Sequence, residues 1–331
     1  MRKHERKSIV VMGGGTGTFT VLSGLKKYDC NLTAIVAMAD DGGSTGMLRD
    51  ELGVLPPGDV RQCLVALSTS DIIMRQLMNY RFTSGKLRGH NFGNLLLSAL
   101  EKVTGNFDKA VEAAGEILRI EGHVVPATLE KATLVARLTG KVVRGQNAIH
   151  NTNIHKKLRS ITLSPSVEAN PKALFAIKKA DAIIIGPGDF YSSLVPNFLV
   201  RGIPESVRNS RARKIFICNL MSRKNHTNDF SVTDYTREIE KYIQSPVDTV
   251  LYNNVRPPNT LIRRYAREGE ALTKFENLPH GKHAIGGDFI NETIPKIKRG
   301  DPLSRSLIRH NSAKLASVIA RLIGIPTTKR T

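Results

Sequence analysis

Two short segments carry the residue types best suited to chemistry. Gly13-Gly14-Gly15-Thr16-Gly17-Thr18 stands between an apolar run and a helical pattern. Glycines let a backbone approach a ligand closely, and a helix start offers N–H donors and partial positive charge to a phosphate. Thr16 or Thr18 could cap that helix and touch the same phosphate. The spacing is G-x-G-x-G, which argues against the G-x-G-x-x-G loop of NAD proteins, and no Lys-Ser or Lys-Thr follows to make a P-loop. A tight turn is the plain alternative, but it does not require so many glycines. The second segment is Ala39-Asp40-Asp41-Gly42-Gly43-Ser44-Thr45-Gly46. Asp40 and Asp41 could hold Mg²⁺ against phosphate oxygens, hydrogen-bond a sugar or serve as a base. An Asx turn is the plain reading. Gly42-x-Ser44-x-Gly46 also matches the hydrolase elbow by letter, with Ser44 as nucleophile, but no histidine stands in a context that completes a triad.

Three further segments have weaker signals. In Leu55-Pro56-Pro57-Gly58-Asp59-Val60-Arg61, Asp59 reads as a helix N-cap. Arg61 in the first turn opposes the helix dipole unless an anion is near. In Gly89-His90-Asn91-Phe92-Gly93-Asn94, Asn91 reads as a cap, and His90 and Asn94 could reach a ligand from one edge. Gly186-Pro187-Gly188-Asp189-Phe190-Tyr191 is a second glycine-bearing loop after an apolar run. Two such loops are expected where a ligand crosses the switch point of an open α/β sheet. His150, His155, His280 and His283 lack partner ligands at metal-site spacing and read as surface residues.

The elements that must position these loops are short β-branched runs: Ser8–Met12, Leu32–Met38, Asp181–Ile185, Lys214–Cys218 and Val247–Leu251. They are continuously apolar, as strands buried on both faces are. Helical patterns fall between them at Thr16–Lys27, Val60–Leu67, Asn94–Val103, Phe107–Ile120, Glu168–Lys179 and Val232–Ile243. This alternation predicts a doubly wound, mostly parallel α/β sheet in three layers. Residues 122–165 read as a small β-rich antiparallel insertion, and Leu303–Gly324 as an amphipathic C-terminal helix in a basic segment, 295–331. The 331 residues form one elaborated domain on this reading.

With 49 basic and 29 acidic residues the formal net charge is +20, which points to anionic partners. Aromatic content of 5%, no tryptophan and no recognised module argue against nucleic acid as the primary partner. No apolar run is long enough to span a membrane, and the apolar stretch after the basic start is too short for a signal peptide. Cys30, Cys63 and Cys218 are too widely spaced for a zinc ribbon, so a reducing cytoplasm without disulfides is expected.

Taken in order, the motifs resemble the YvcK/CofD-like family, the bacterial gluconeogenesis factors related to 2-phospho-L-lactate transferase. Tyr80-Arg81-Phe82, Val124-Val125-Pro126-Ala127-Thr128, Pro196-Asn197-Phe198, Cys218-Asn219 and Arg309-His310-Asn311 join the loops above in family order. The resemblance spans essentially the whole chain and favours the YvcK branch. It implies a Rossmann-like fold, a homodimer, a UDP-sugar ligand such as UDP-N-acetylglucosamine, and a role in growth on gluconeogenic carbon and in cell shape. It implies a binding set of Gly13 to Thr18, Gly43, Ser44, Arg61, His90, Asn91, Asn94, Gly186, Pro187, Gly188, Asp189, Tyr191 and Asn219. Asp40 and Asp41 would hold Mg²⁺ or act in catalysis. The transferase branch, which moves phospholactate from a guanosine-linked donor to a deazaflavin with Mg²⁺, is the alternative. Two segments depart from the family. Asp189 replaces the usual serine, where it would repel a diphosphate unless a metal or an arginine compensates. Met221-Ser222-Arg223-Lys224-Asn225-His226-Thr227 replaces Met-Thr-Gln-Pro-Gly-Glu-Thr.

Overall fold

A computed structural model of the chain describes residues 6–275, 278, 283–291 and 307–326. Strands β1 (Lys7–Gly13), β2 (Cys30–Val36) and β3 (His123–Pro126) belong to a parallel sheet. Strands β4 (Thr133–Leu138), β5 (Lys141–Arg144) and β6 (Leu158–Ser164) form a separate antiparallel sheet with β4 in the middle. Strands β7 (Ala182–Ile185), β8 (Arg213–Ile217), β9 (Thr249–Asn253) and β10 (His283–Gly287) complete the parallel sheet, in the order β10-β9-β8-β7-β1-β2-β3.

Helix α1 (Thr16–Leu25) follows β1. Between β2 and β3 lie α2 (Gly43–Leu52), α3 (Gly58–Leu67), α4 (Ile72–Asn79), α5 (Phe92–Thr104) and α6 (Phe107–Ile117). The five-residue α7 (Gln146–His150) sits within the antiparallel unit, and α8 (Pro171–Lys179) leads into β7. A π-helical turn, Phe190–Leu194, runs into α9 (Val195–Phe198) and α10 (Ile203–Asn209). Then come α11 (Val232–Ile243), α12 (Asn259–Arg267) and α13 (Ser312–Leu322).

The continuous apolar character of the strands is explained by two cores. Ile9, Val11 and Ile184 face one side with Leu22, Leu64, Phe107 and Ile319. Val10, Met12 and Ile185 face the other with Ile177, Val207, Tyr235 and, from the antiparallel sheet, Leu134 and Ile161. Alternate strand residues thus feed opposite layers, as the pleat requires. The three-layer α/β expectation holds.

Two local readings need correction, and one helix stands where no element is predicted. Val124 and Val125 pair in parallel with β2, so the antiparallel unit starts at Thr133 and not at 122. A short apolar run does not announce its partner strand. The C-terminal helix covers only Ser312–Leu322, while Leu307 precedes it and His310 bridges to Ile290. Residues 295–306 and 327–331 of the basic segment lie outside the described residues. Finally, Gly43–Leu52 is a helix, although its glycines at positions 43 and 46 are poor helix formers.

Candidate functional site

From β1 the chain steps to β2 and β3 on one side, then returns to β7 on the other. The crevice at the carboxyl ends of β1 and β7 is therefore the switch point, where ligands of open α/β sheets sit. Both glycine loops leave the sheet there, and they touch. A Cβ on Gly17 would lie 1.8 Å from the Pro187 carbonyl oxygen. One on Gly15 would lie 2.3 Å from Gln62 Nε2 and 2.5 Å from Asp59 Oδ1. The glycines of the first loop thus make room chiefly for protein neighbours. No side chain caps α1, since Thr16 Oγ1 donates to Gln62 Oε1 at 3.0 Å. Thr18 is fully buried, and an added Cβ on Gly13 would lie 2.6 Å from its Oγ1.

The second loop is more open. Gly186 takes φ +81°, which a glycine adopts without strain. At Gly188 an added Cβ would find nothing nearer than Ser193 Cβ at 3.9 Å. Asn219 Nδ2 donates to the Gly188 carbonyl at 2.9 Å, and Asn197 Nδ2 to the Gly13 carbonyl at 3.1 Å. Asn197 was not anticipated as a site residue. Its signal is a fully buried amide among apolar neighbours, and such groups need partners.

Asp40 and Asp41 have different partners. Asp41 Oδ1 and Oδ2 accept from Asn147 N and Gln146 N at 2.7 and 2.9 Å, which caps α7. Asp40 instead faces Asp59. Burial pushes the Asp40 carboxyl up, and the charge of Asp41 adds to that, against hydrogen bonds from Gly42 N and Thr45. Burial and the neighbouring Asp40 push Asp59 up to about 7, against Arg61 and a hydrogen bond from Gly15 N–H. Asp59 is therefore not the N-cap that its position suggested. It lies in the first turn of α3 and turns its carboxyl onto the first glycine loop.

Behind this pair lies a buried polar hub. Asn94 Oδ1 accepts from Arg61 Nε at 2.9 Å, and Asn94 Nδ2 donates to Thr45 Oγ1 at 3.4 Å. Arg61 Nη1 also donates to Asn79 Oδ1 at 2.8 Å and to the Met78 carbonyl at 3.1 Å. Arg61 thus binds groups on α4 and α5, and its charge also bears on Asp59. Asn91 caps α5 as expected, through Asn94 N at 3.1 Å. Ser44 Oγ lies 3.5 Å from His90 Nδ1 and accepts from Asn91 N at 3.1 Å. Ser44 is buried, so it serves as a joint between α2 and α5 and not as an exposed nucleophile. Gly43, at φ +48° with no atom within 4 Å of an added Cβ, faces open space.

At the second loop, Asp189 caps the π-helical turn, accepting from Ser192 Oγ at 2.6 Å and Ser192 N at 3.2 Å. Its other oxygen meets Arg223 Nη1 at 2.8 Å and His150 at 3.7 Å. Burial alone would raise this carboxyl, but Arg223, His226, Ser192 and His150 outweigh it and hold it below its ordinary value. Burial in turn lowers His150 and His226. The two departures from the family pattern are therefore one feature, because the arginine that compensates Asp189 comes from the divergent 221–227 segment. Tyr191 points away, its hydroxyl reaching Glu238 Oε1 at 3.4 Å and its ring packing on Phe190.

Short α7 ties these parts together. Its first N–H groups bind Asp41, Gln146 Nε2 donates to the Ser192 carbonyl at 3.0 Å, and His150 accepts from Arg223 Nη2. The structure thus gathers Gly13 to Gly17, Asp40, Gly186, Pro187, Gly188, Asp189 and Asn219 at one edge. Ser44, His90, Asn91, Asn94 and Arg61 form the support behind it. Among the described residues no cluster of three or more His, Cys, Asp or Glu side chains is placed to hold a metal, and no helix is long and apolar enough to cross a membrane. The three cysteines are buried thiols.

A Thermotoga maritima protein provisionally described as a gluconeogenesis factor is 39% identical over 95% of this chain and 98% of its own length. The gluconeogenesis factor of Bacillus subtilis is 35% identical over 96% of this chain and 99% of its own. A crystal structure of a Bacillus halodurans protein matches with a TM-score of 0.87 at 35% identity, covering 95% of this chain and 99% of that one. The family model described as 2-phospho-L-lactate transferase CofD matches residues 9–290. The chain belongs to the CofD family, in the company of its gluconeogenesis factors.

Proposed function

We propose that the chain is a gluconeogenesis factor that binds a nucleotide-sugar, of the UDP-N-acetylglucosamine kind, in the β1/β7 crevice. Through that ligand it serves growth on gluconeogenic carbon and the control of cell shape. The observation that carries the reading is the meeting of two glycine loops at the switch point, with Gly188 open on one side. The start of α1 offers N–H groups to phosphate, and Asp40 stands where a sugar hydroxyl or a cation would be held. Asp40 and Asp59 would repel a bare diphosphate. Two carboxylates with a ligand's phosphates are the usual donor set for Mg²⁺, and this pair fits it, whereas Asp41 is spent on α7. Mg²⁺ bound there would neutralise the diphosphate. Titration calorimetry with UDP-N-acetylglucosamine tests the reading. Saturable binding is expected, at least about tenfold tighter with Mg²⁺ than with EDTA. No binding under either condition overturns it.

One observation favours a second reading, a transferase of the CofD type. Asp59 lies against Gly14 and Gly15, and its carboxyl is raised into the range of a base at neutral pH. It could take the proton of an acceptor hydroxyl as that oxygen bonds to phosphorus. The phosphoanhydride bond then breaks, and the nucleoside monophosphate leaves with the electron pair. The two uses of the pair exclude each other at any moment, since a bound cation keeps both carboxyls ionised. Phosphorus NMR of the protein with UDP-N-acetylglucosamine, recorded both with Mg²⁺ and with EDTA, separates them. Release of UMP that Asp59→Asn abolishes, with ligand still bound, supports the transferase; an unchanged spectrum supports the binder.

A further inference from the structure

We propose that Arg223 is the residue that reads the ligand's diphosphate, and that Asp189 and His150 are its positioning residues. The proposal rests on the nucleotide-ligand reading above and names a specificity element within it. The edge is otherwise acidic: Asp40 and Asp59 face the first loop and Asp189 caps the second. Arg61, the cation that the sequence offers for this task, is bound to Asn94, Asn79 and the Met78 carbonyl. Arg223 brings a positive charge to the open loop from a segment that also differs from the family pattern.

Its geometry is that of a held guanidinium. Nη1 is fixed by Asp189 and Nη2 by His150 Nε2. The second contact requires an unprotonated Nε2, in keeping with the lowering of His150 by burial. The loop that carries Arg223 is anchored in turn, because the Asn225 carbonyl accepts from Ile154 N and His155 N at 2.9 and 2.8 Å. A guanidinium has five N–H donors, and 35% of this side chain remains exposed, so donors are left over for a ligand. Arg223 contacts Asp189, the chain neighbour of Gly188, and an added Cβ on Gly188 would find nothing nearer than Ser193 Cβ at 3.9 Å. Glu270 is a further charged neighbour of Arg223, and a bound diphosphate would compete with it. Asp189 is thus no repulsive substitution. It orients the arginine that the anion needs, as second-layer carboxylates commonly do for charged ligand contacts.

The test uses Asp189→Ser/Arg223→Gln, which removes both charges together and leaves neither orphaned, with Arg223→Lys as the conservative partner. Affinities for UDP-N-acetylglucosamine and for uridine are measured on each, with thermal melting to confirm folding. A charge-assisted hydrogen bond of ordinary strength predicts a loss of about 10- to 100-fold for the double variant on UDP-N-acetylglucosamine, with uridine unchanged. Arg223→Lys should fall between, since it keeps the charge but not the fork. Equal losses on both ligands, or no loss on either, overturn the proposal. If the wild-type chain ignores UDP-N-acetylglucosamine, the Proposed function fails by itself. Inorganic pyrophosphate with Mg²⁺ then tests Arg223: weaker binding by the double variant supports it, and equal or absent binding overturns it.

Discussion

Asp59 and Asp189 are the same chemical group beside two loops that touch, and their environments drive them in opposite directions. Asp59 is pressed between the first glycine loop and Asp40, and rises to about 7. Asp189 is buried too, yet falls below its ordinary value because Arg223 and Ser192 hold its charge. The loops differ in the same sense. The first is filled by protein at Gly15 and Gly17, while the second is open at Gly188. Burial sets the direction of a carboxyl only until a well-placed cation reverses it. The strained, unneutralised carboxyls are therefore concentrated at Asp40 and Asp59, where chemistry or a cation would use them.

Replacing Arg223 by methionine should erase the contrast and have the largest effect. It leaves Asp189 buried without its cation, at a cost of about 3 kcal/mol in urea unfolding at pH 7, reduced from the fully buried case by the exposure of Arg223. In the wild type the stabilisation from Asp189 is present above its unfolded value near 3.8 and lost as pH falls through the lowered folded value. In the variant the deficit should shrink on acidification, because Asp189 then takes a proton. Gly17→Ala should come next, losing about 2 kcal/mol, because the new methyl meets backbone of the second loop. Gly188→Ala makes no such contact and should cost under about 0.5 kcal/mol while weakening ligand binding.

Asp59→Asn should move the other way. Between about pH 4 and about pH 7 the folded Asp59 keeps a proton that the unfolded chain has lost, so wild-type stability declines across that window and stays low above it. Asparagine does not ionise, so the variant should gain about 1–2 kcal/mol at pH 8 and nothing at pH 4, read by denaturant melts at the two pH values. A variant that is no more stable at pH 8 would mean that Asp59 is not under this strain.

The sheet was legible because its strands are buried on both faces and need uninterrupted apolar residues, as Val10, Val11 and Met12 show. The two glycine loops were legible for a related reason: a chain that turns tightly at a crowded edge leaves a composition signal. Helix α2 was not, since Gly43 and Gly46 disfavour a helix that exists through burial of Ser44, Thr45 and Leu48. Side-chain direction was the larger loss. Arg61 and Asp59 occupy the same helical turn, yet one points to α5 and the other to the glycine loop. Asn94 stands 33 positions from Arg61, and the first glycine loop is as remote from Asp59, so no local pattern encodes either contact. Arg223 was hidden for the same reason: only the fold places it against Asp189.

Helix α7 gives the small antiparallel sheet a mechanical meaning. One turn of helix holds the loop after β2 through Asp41, the loop after β7 through Ser192, and the loop after β8 through Arg223. The accessory sheet is thus seated on three edge loops through one turn of helix. A ligand that resets any one of these loops also changes how firmly the accessory sheet is seated, and by reciprocity a protein gripping that sheet from outside would alter how tightly the crevice holds its ligand. On this geometry the accessory sheet would be a handle on the crevice, through which a chain that turned over no substrate could report that its ligand had arrived.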